Sequence, residues 1–368
     1  MFASKSKHVD KQLLLVVGLL VVSGFFIFIS ASLGLLTRGS LMFKSSAINQ
    51  LIFGLGLGTV AMVVLSKIHY RVWKRLAMPL FVFAVLFTLS VFIPGLGYSS
   101  GGATRWVHMF GISIQPAEIL KVASILFAAS YLSQKYKLLT KGWYGLLVVF
   151  GLLGLPAIVL LLQPDTGTVV VIAAAIVSMY FTVGARWRDI GVLIVAGVVA
   201  IGVLANFRPY VLSRLMTFMH PWEAQQTSGY QIKQSLLAVG SGGFVGRGFG
   251  QSVQKFNYLP EPTSDSIYAV LSEEFGFVGA VAILILFMWF AQRSLRIASK
   301  APDYFGALTV IGLSLLIVYQ AILNIAAMLA IAPLTGLPLP FISHGGTAMA
   351  VTLASVGIIL SVSRYVKV

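Results

Sequence analysis

Four stretches hold most of the residues able to do chemistry in a chain otherwise poor in charge. The first is Gly101-Gly-Ala-Thr-Arg-Trp106, followed by Ser113-Ile-Gln-Pro-Ala-Glu-Ile-Leu-Lys121. Pro116 fits the first turn of a helix, where its missing N–H costs nothing. Glu118 then falls in that turn, where the helix dipole favours an anion. Lys121, three residues on, shares its face and can pair with it. A charge at bilayer depth costs about 2.5–3.5 kcal/mol on insertion scales, so such a pair either pins helices together or lines a cavity. Arg105 can hold a phosphate or snorkel beside Trp106.

The second stretch, Leu162-Gln-Pro-Asp-Thr-Gly167, reads as a tight reversal in which Asp165 caps the next helix. The third is a long polar segment, 207–265. It carries Arg214, Gly246-Arg-Gly-Phe-Gly250 with Arg247, Lys255 and, at its end, Asp265. Glycine lets backbone N–H groups approach an anion, and Arg247 and Lys255 would add charge-assisted bonds to phosphate. No βαβ unit surrounds these glycines, so they are no nucleotide fingerprint. Asp265 opens a span, where a carboxylate can take a proton from a sugar hydroxyl or simply cap the helix. Glu273 and Glu274 lie two turns deeper, able to tune Asp265, bind a cation or pair with Lys121. The fourth is Asn324, then Pro333-Leu-Thr-Gly-Leu-Pro-Leu-Pro-Phe-Ile-Ser-His-Gly-Gly346. Its proline density forbids a helix. Ser343 and His344 there either reach substrate or shape the loop.

These stretches must be positioned by membrane helices. Of 368 residues, 58% are hydrophobic and 10% charged, against about 25% charged in a soluble domain. That leaves too little polar surface for a water-soluble globule. The expected fold is all-α integral membrane, one polytopic domain over 1–368. Ten spans are expected near 12–36, 47–67, 76–95, 116–134, 143–162, 167–185, 188–206, 266–292, 304–332 and 344–365. Segment 207–265, between the seventh and eighth, is expected to leave the membrane as an extracytoplasmic loop. The first apolar stretch is long and lacks a small-residue cleavage site, which makes it a retained helix. With no cysteine, neither disulfides nor thiolate ligands contribute.

The net charge of +16 belongs to short loops. It therefore points to lipid headgroups and membrane orientation, not to nucleic acid. Most basic residues, among them Lys5, Lys7, Lys141 and Lys367, fall on one side, which should be cytoplasmic together with both termini. Arg38, Lys44, Arg105, Arg208, Arg214, Lys233, Arg247 and Lys255 fall on the other. So do most acids, Glu223 and Asp265 included, and function is expected on that outer face.

Taken in order, Gly102-Ala-Thr-Arg-Trp106, Gln115-Pro-Ala-Glu-Ile-Leu-Lys121, Leu162-Gln-Pro-Asp-Thr-Gly167, Ser228-Gly-Tyr-Gln231, Leu259-Pro-Glu261 with Asp265, Glu273-Glu-Phe-Gly276 and Thr335-Gly-Leu-Pro-Leu-Pro-Phe-Ile-Ser343 resemble the SEDS family of shape, elongation, division and sporulation proteins. The likeness covers nearly the whole chain and lies closer to the division branch than to the elongation branch. It implies a peptidoglycan glycosyltransferase that polymerises lipid II at the outer face of the bacterial cytoplasmic membrane. It also implies a class B penicillin-binding protein partner and other divisome proteins. Asp265 matches the family's essential aspartate, and Glu118 and Lys121 match its cavity-lining acid and base. Arg105, Glu118, Lys121, Arg214, Arg247, Lys255 and Ser343 are the expected substrate-binding residues. No metal-ligand cluster is expected, although a divalent cation (Mg or Mn) can share the charge of the diphosphate. Two departures stand out. Thr263-Ser-Asp-Ser266 replaces the family's usual His-Thr-Asp-Phe, and His344 replaces a usual Tyr. A lipid II flippase and a non-catalytic scaffold for a penicillin-binding protein remain the alternatives.

Overall fold

The computed structural model describes residues 9–38, 46–100, 103–109, 112–139, 143–222 and 228–366. Lys5, Lys7, Lys44, Gly101, Gly102, Lys141, Glu223 and Lys367 lie outside the described residues. Nine helices among them are long and apolar enough to cross a membrane. They are α1 (Lys11–Leu33, extended to Leu36), α2 (Ser46–Lys67), α3 (Arg71–Leu89), α4 (Pro116–Leu139), α5 (Tyr144–Leu162), α7 (Trp187–Phe207), α10 (Ile267–Ser299), α11 (Tyr304–Met328) and α12 (Gly346–Ser363). The tenth expected span is α6 (Thr166–Thr182), apolar and 17 residues long, at the lower end of the spanning range of about 17–25 residues.

Helix starts follow local chemistry. Asp10, Asp165 and Asp303 each accept a backbone N–H from the first turn of α1, α6 and α12's neighbour α11, satisfying donors that have no intrahelical partner. Pro116 opens α4. The helices pack around the most buried ones, α4, α11 and α12. The start of α1 and the end of α12 meet at one end of the bundle. There the Asp10 N–H donates to Ser363 Oγ at 3.1 Å, and Arg293 grips the Asp10 carboxylate at 2.7 Å.

Two features depart from the expected architecture. The Gly-rich connection before α4 is a three-stranded antiparallel sheet: β1 (Gly97–Ser100), β2 (Ala103–Met109) and β3 (Ile112–Ile114). The 207–265 segment is not an unstructured loop either. It holds α8 (Pro209–Met219) and α9 (Ser228–Ser241). It then folds back beside α10.

That return is stitched in at a break in α10. Gly276 adopts φ 64°, ψ −161°, which favours glycine. The backbone groups freed by the break are taken by the segment that follows α9. Arg247 and Gly248 N–H donate to the Glu273 and Glu274 carbonyls at 3.0 and 2.9 Å, and Phe277 N–H donates to the Gly243 carbonyl at 2.9 Å. The helix is interrupted, yet none of these backbone groups goes unbonded.

Candidate active site

Asp265 ends the 207–265 segment, immediately before α10. The N-cap of α10 is Ser266, and no side chain caps it, so Asp265 does not serve as the cap. Gln231 of α9 donates to Asp265 Oδ2 at 3.4 Å and to Ser266 Oγ at 2.9 Å. Asp265 Oδ1 is buried without a hydrogen-bond partner. Burial, reinforced by the nearby Glu261 carboxylate, pushes the Asp265 carboxyl up to about 6, while Gln231 and the Arg214 guanidinium pull the other way. At neutral pH this leaves a carboxylate that holds a proton far better than an ordinary aspartate does.

The proline-rich stretch after α11 organises everything around it. Its carbonyls are taken one after another. Arg214 of α8 donates to Thr335 O at 3.3 Å, Asn324 to Leu337 O at 2.7 Å and Gln320 to Pro338 O at 2.8 Å. Farther along, Ser343 Oγ donates to Ser264 O at 2.6 Å and accepts from Leu339 N–H at 2.8 Å, and His344 N–H donates to Thr263 O at 2.7 Å. Gln50, in the π-helical opening of α2, bonds Ser343 O and Gly345 N–H. The two residues before Asp265 are thus fixed to this loop.

Arg105 is the unpaired residue of a β-bulge. Tyr98 faces Trp106 and Ser99 faces Thr104, so Arg105 has no opposite number. The bulge re-aims its side chain toward the end of α5, where it donates to the Gln163 carbonyl at 2.9 Å and to the Pro164 carbonyl. Arg105, Asp165, Tyr210 and Asp265 all act electrostatically on Arg214, and burial, with Arg105 beside it, holds that guanidinium below its ordinary range. Arg214 thus links Arg105 and Asp165 to Asp265, whose Oδ1 has no partner.

Next to this cluster lies a cavity of about 550 Å³. Asn49 and Phe53 of α2, Trp106 of the sheet, Glu261, Ser264 and His344 are among its lining residues. Burial lowers the proton affinity of His344. Its Nε2 is buried without a partner.

Other expected site residues are placed elsewhere. Lys255 is corrected: its ammonium donates to Glu274 Oε1 at 2.7 Å, Gly250 O at 2.8 Å and Ser30 Oγ at 3.0 Å. Three donors meet three acceptors, which leaves none for a phosphate. Arg247 stands 3.6 Å from Glu273 Oε1, beside the break in α10 and apart from the Asp265 cluster. The Ser343 hydroxyl is engaged with the loop, donating to Ser264 O and accepting from Leu339 N–H. Glu118 and Lys121 pair at 2.8 Å with both side chains buried, and together with Gln320 and Thr352 they line a small pocket inside the bundle. Glu273 and Glu274 do not pair with Lys121. They hold the returning segment, through Ser252 Oγ at 2.6 Å, Val253 N–H at 3.0 Å and Lys255. Gln231 closes the family-like segment Ser228-Gly-Tyr-Gln231, and its bond to Asp265 depends on how α9 packs. Gln320 had a readable signal, a second amide one turn before Asn324 in an apolar span.

The family model described as cell cycle protein, FtsW/RodA/SpoVE, matches residues 10–368. The chain belongs to the FtsW/RodA/SpoVE family. It is 39% identical over 316 residues to stage V sporulation protein E of Bacillus subtilis, covering 86% of each chain. It is 38% identical over 359 residues to the probable peptidoglycan glycosyltransferase FtsW of Alcanivorax borkumensis, covering 96% of this chain and 92% of that one. Among solved structures, a chain of a peptidoglycan synthase complex, described as coordinating polymerization and crosslinking, superposes with a TM-score of 0.78 at 26% identity, covering 97% of this chain and 98% of that one. The rod shape determining protein RodA of Thermus thermophilus gives 0.67 at 25% identity, covering 97% of each chain. In this FtsW/RodA/SpoVE member Arg214 ties the bulged arginine, the proline-rich loop and the aspartate before α10 together.

Proposed function

We propose that this family member polymerises lipid II into glycan strands at the outer face of the bacterial cytoplasmic membrane, with Asp265 as the general base. The observation that carries the reading is the Asp265 carboxylate. One of its oxygens lies buried and unpartnered, in a polar cluster with Arg214 and Arg105 and beside the cavity lined by Ser264 and Glu261. The names of the relatives support the substrate class.

In the proposed step the Asp265 carboxylate takes the proton of the acceptor N-acetylglucosamine 4-hydroxyl. That oxygen attacks the anomeric carbon of the donor's N-acetylmuramic acid. The bond from that carbon to the diphosphate oxygen breaks, and undecaprenyl pyrophosphate leaves with inversion. Because the leaving group is already good, orientation and charge neutralisation supply most of the catalysis. Arg214 is the first candidate to hold the diphosphate and Arg105 the second. Among the described residues no three His, Asp or Glu side chains converge as a metal site. A divalent cation, Mg or Mn, would therefore arrive with the diphosphate, and no step is routed through it.

The polyprenyl tails would lie in lipid against the helices. Both termini would face the cytoplasm, and a class B penicillin-binding protein would crosslink the strands, with the division machinery as the setting. Purified full-length chain incubated with lipid II in detergent tests the reading. Muramidase-sensitive strands support it; transbilayer movement of lipid II in vesicles without polymer overturns it in favour of a flippase.

A further inference from the structure

Two buried side-chain amides sit one turn apart on α11, Gln320 and Asn324, and the sugar-transfer scheme uses neither. An amide left unpaired at this depth is strongly unfavourable, so its partners are informative. Asn324 Nδ2 donates at 2.7 Å to the Asp265 carbonyl and at 2.7 Å to the Leu337 carbonyl. Both of its hydrogens are thereby used, while its Oδ1 is buried without a partner. Gln320 Nε2 donates at 2.8 Å to the next carbonyl, Pro338, and Gln320 Oε1 accepts at 2.6 Å from Lys121, which pairs with Glu118 at 2.8 Å. One helix face thus grips consecutive carbonyls of one loop, reaching the buried ion pair on one side and the backbone of Asp265 on the other.

We propose that Asn324 is a positioning residue for Asp265, and that Gln320 ties the Glu118–Lys121 pair to the same loop, so that the two amides act as one brace. The inference rests on Asp265 being the base. Asp265 lies outside the helix it precedes and makes no cap, so helical bonding does not fix its backbone. Holding its carbonyl sets the direction in which the side chain leaves the chain and keeps Oδ1 away from competing donors. A base must sit within hydrogen-bond reach of the hydroxyl it deprotonates, and a displacement of about 1 Å can cost roughly a hundredfold in rate. The brace touches no substrate, so binding should be spared.

The test compares wild type, Asn324→Ala, Gln320→Ala, the double variant and Asp265→Asn as purified full-length chains polymerising lipid II across pH. The Asn324→Ala variant should lose roughly tenfold to a hundredfold in kcat, with KM within about twofold. Its acid limb should move toward lower pH, because water reaches the loosened carboxylate. The double variant should be no slower than the slower single by more than about threefold, since coupled residues are not additive. If Asn324→Ala fails to fold, Asn324→Asp keeps the shape. Protonated, it donates one bond only, and its activity should fall as pH rises through ionisation of the new carboxyl. Wild-type kcat and pH profile in the folded Asn324 variant, a loss confined to KM, or single losses that multiply in the double variant would overturn the brace while Asp265→Asn stays inactive. A fully active Asp265→Asn variant would instead overturn the reading beneath it.

Discussion

Lys255 Nζ lies 2.7 Å from Glu274 Oε1, and both side chains are buried. Ser30 of α1 donates to the same carboxylate at 2.5 and 2.7 Å. A sequence separation of 19 residues is thus closed by the segment that returns along α10. The pair joins that segment to α10 and, through Ser30, to α1.

Breaking this pair should destabilise the fold without changing the chemistry. Lys255→Met alone strands a buried carboxylate, and Glu274→Gln alone strands a buried ammonium, each costing about 3–5 kcal/mol. The double variant should recover much of that loss. Thermal unfolding in detergent reads the effect. Specific activity per folded molecule should stay near wild type, as it would not if Lys255 held the diphosphate.

Gly246 should not tolerate alanine. Its φ is +85°, and an added methyl would run into the Glu274 carbonyl. The returning segment would have to lift away from α10, and a loss of about 1–3 kcal/mol is expected from the strained backbone alone. Limited proteolysis between α9 and α10 should report it as faster cleavage.

Polymerisation should have an acid limb centred on Asp265. Its carboxyl is raised to about 6, and the base works only when ionised. The rate should therefore climb as pH rises through that value and level off above it. Stability runs the opposite way. The native state holds this proton at a pH where the unfolded chain has released it, so the group favours folding below the ordinary carboxylate range and loses that contribution as pH rises to about 6. Hence Asp265→Asn should be inactive yet at least as stable as wild type at pH 7.5, by thermal unfolding.

Arg214→Ala should raise the acid-limb midpoint, because the guanidinium favours the ionised form of Asp265. It should also raise KM for lipid II, a donor to the diphosphate being worth about 1.5–3 kcal/mol as a charge-assisted hydrogen bond. Arg214→Lys should restore most of the midpoint but less of the KM, since an ammonium lacks the planar fork. Rate profiles across pH at several lipid II concentrations separate the two effects.

The sequence made local chemistry legible and left long-range chemistry hidden. Glu118 and Lys121 pair as their three-residue spacing on a helix requires, and Asp165 caps α6 as its place after Pro164 suggests. Ten apolar runs mark the helices because the bilayer sets their length. The Gly-rich stretch does not cradle an anion with its own backbone: Arg247 and Gly248 N–H donate to the Glu273 and Glu274 carbonyls, and the Glu273 carboxylate is met just beyond the glycines by Val253 and Gln254 N–H. Nothing in the local pattern shows that the chain doubles back beside α10, because that pairing depends on the break at Gly276. The bulge at Arg105 was equally hidden, since it exists only in the register between two short strands. Asp265 was identified as a carboxylate at the start of a span. That its partners are Gln231, Arg214 and the Asn324 amide follows from how α8, α9 and α11 converge.

The most direct test of Asp265 as base is the polymerisation rate of purified wild type and Asp265→Asn with lipid II at pH 7.5, both shown to be folded. General-base catalysis contributes about 10²–10⁴-fold, so the variant should fall by at least a hundredfold while still binding lipid II. Strand synthesis at the wild-type rate by a folded Asp265→Asn protein would contradict the account.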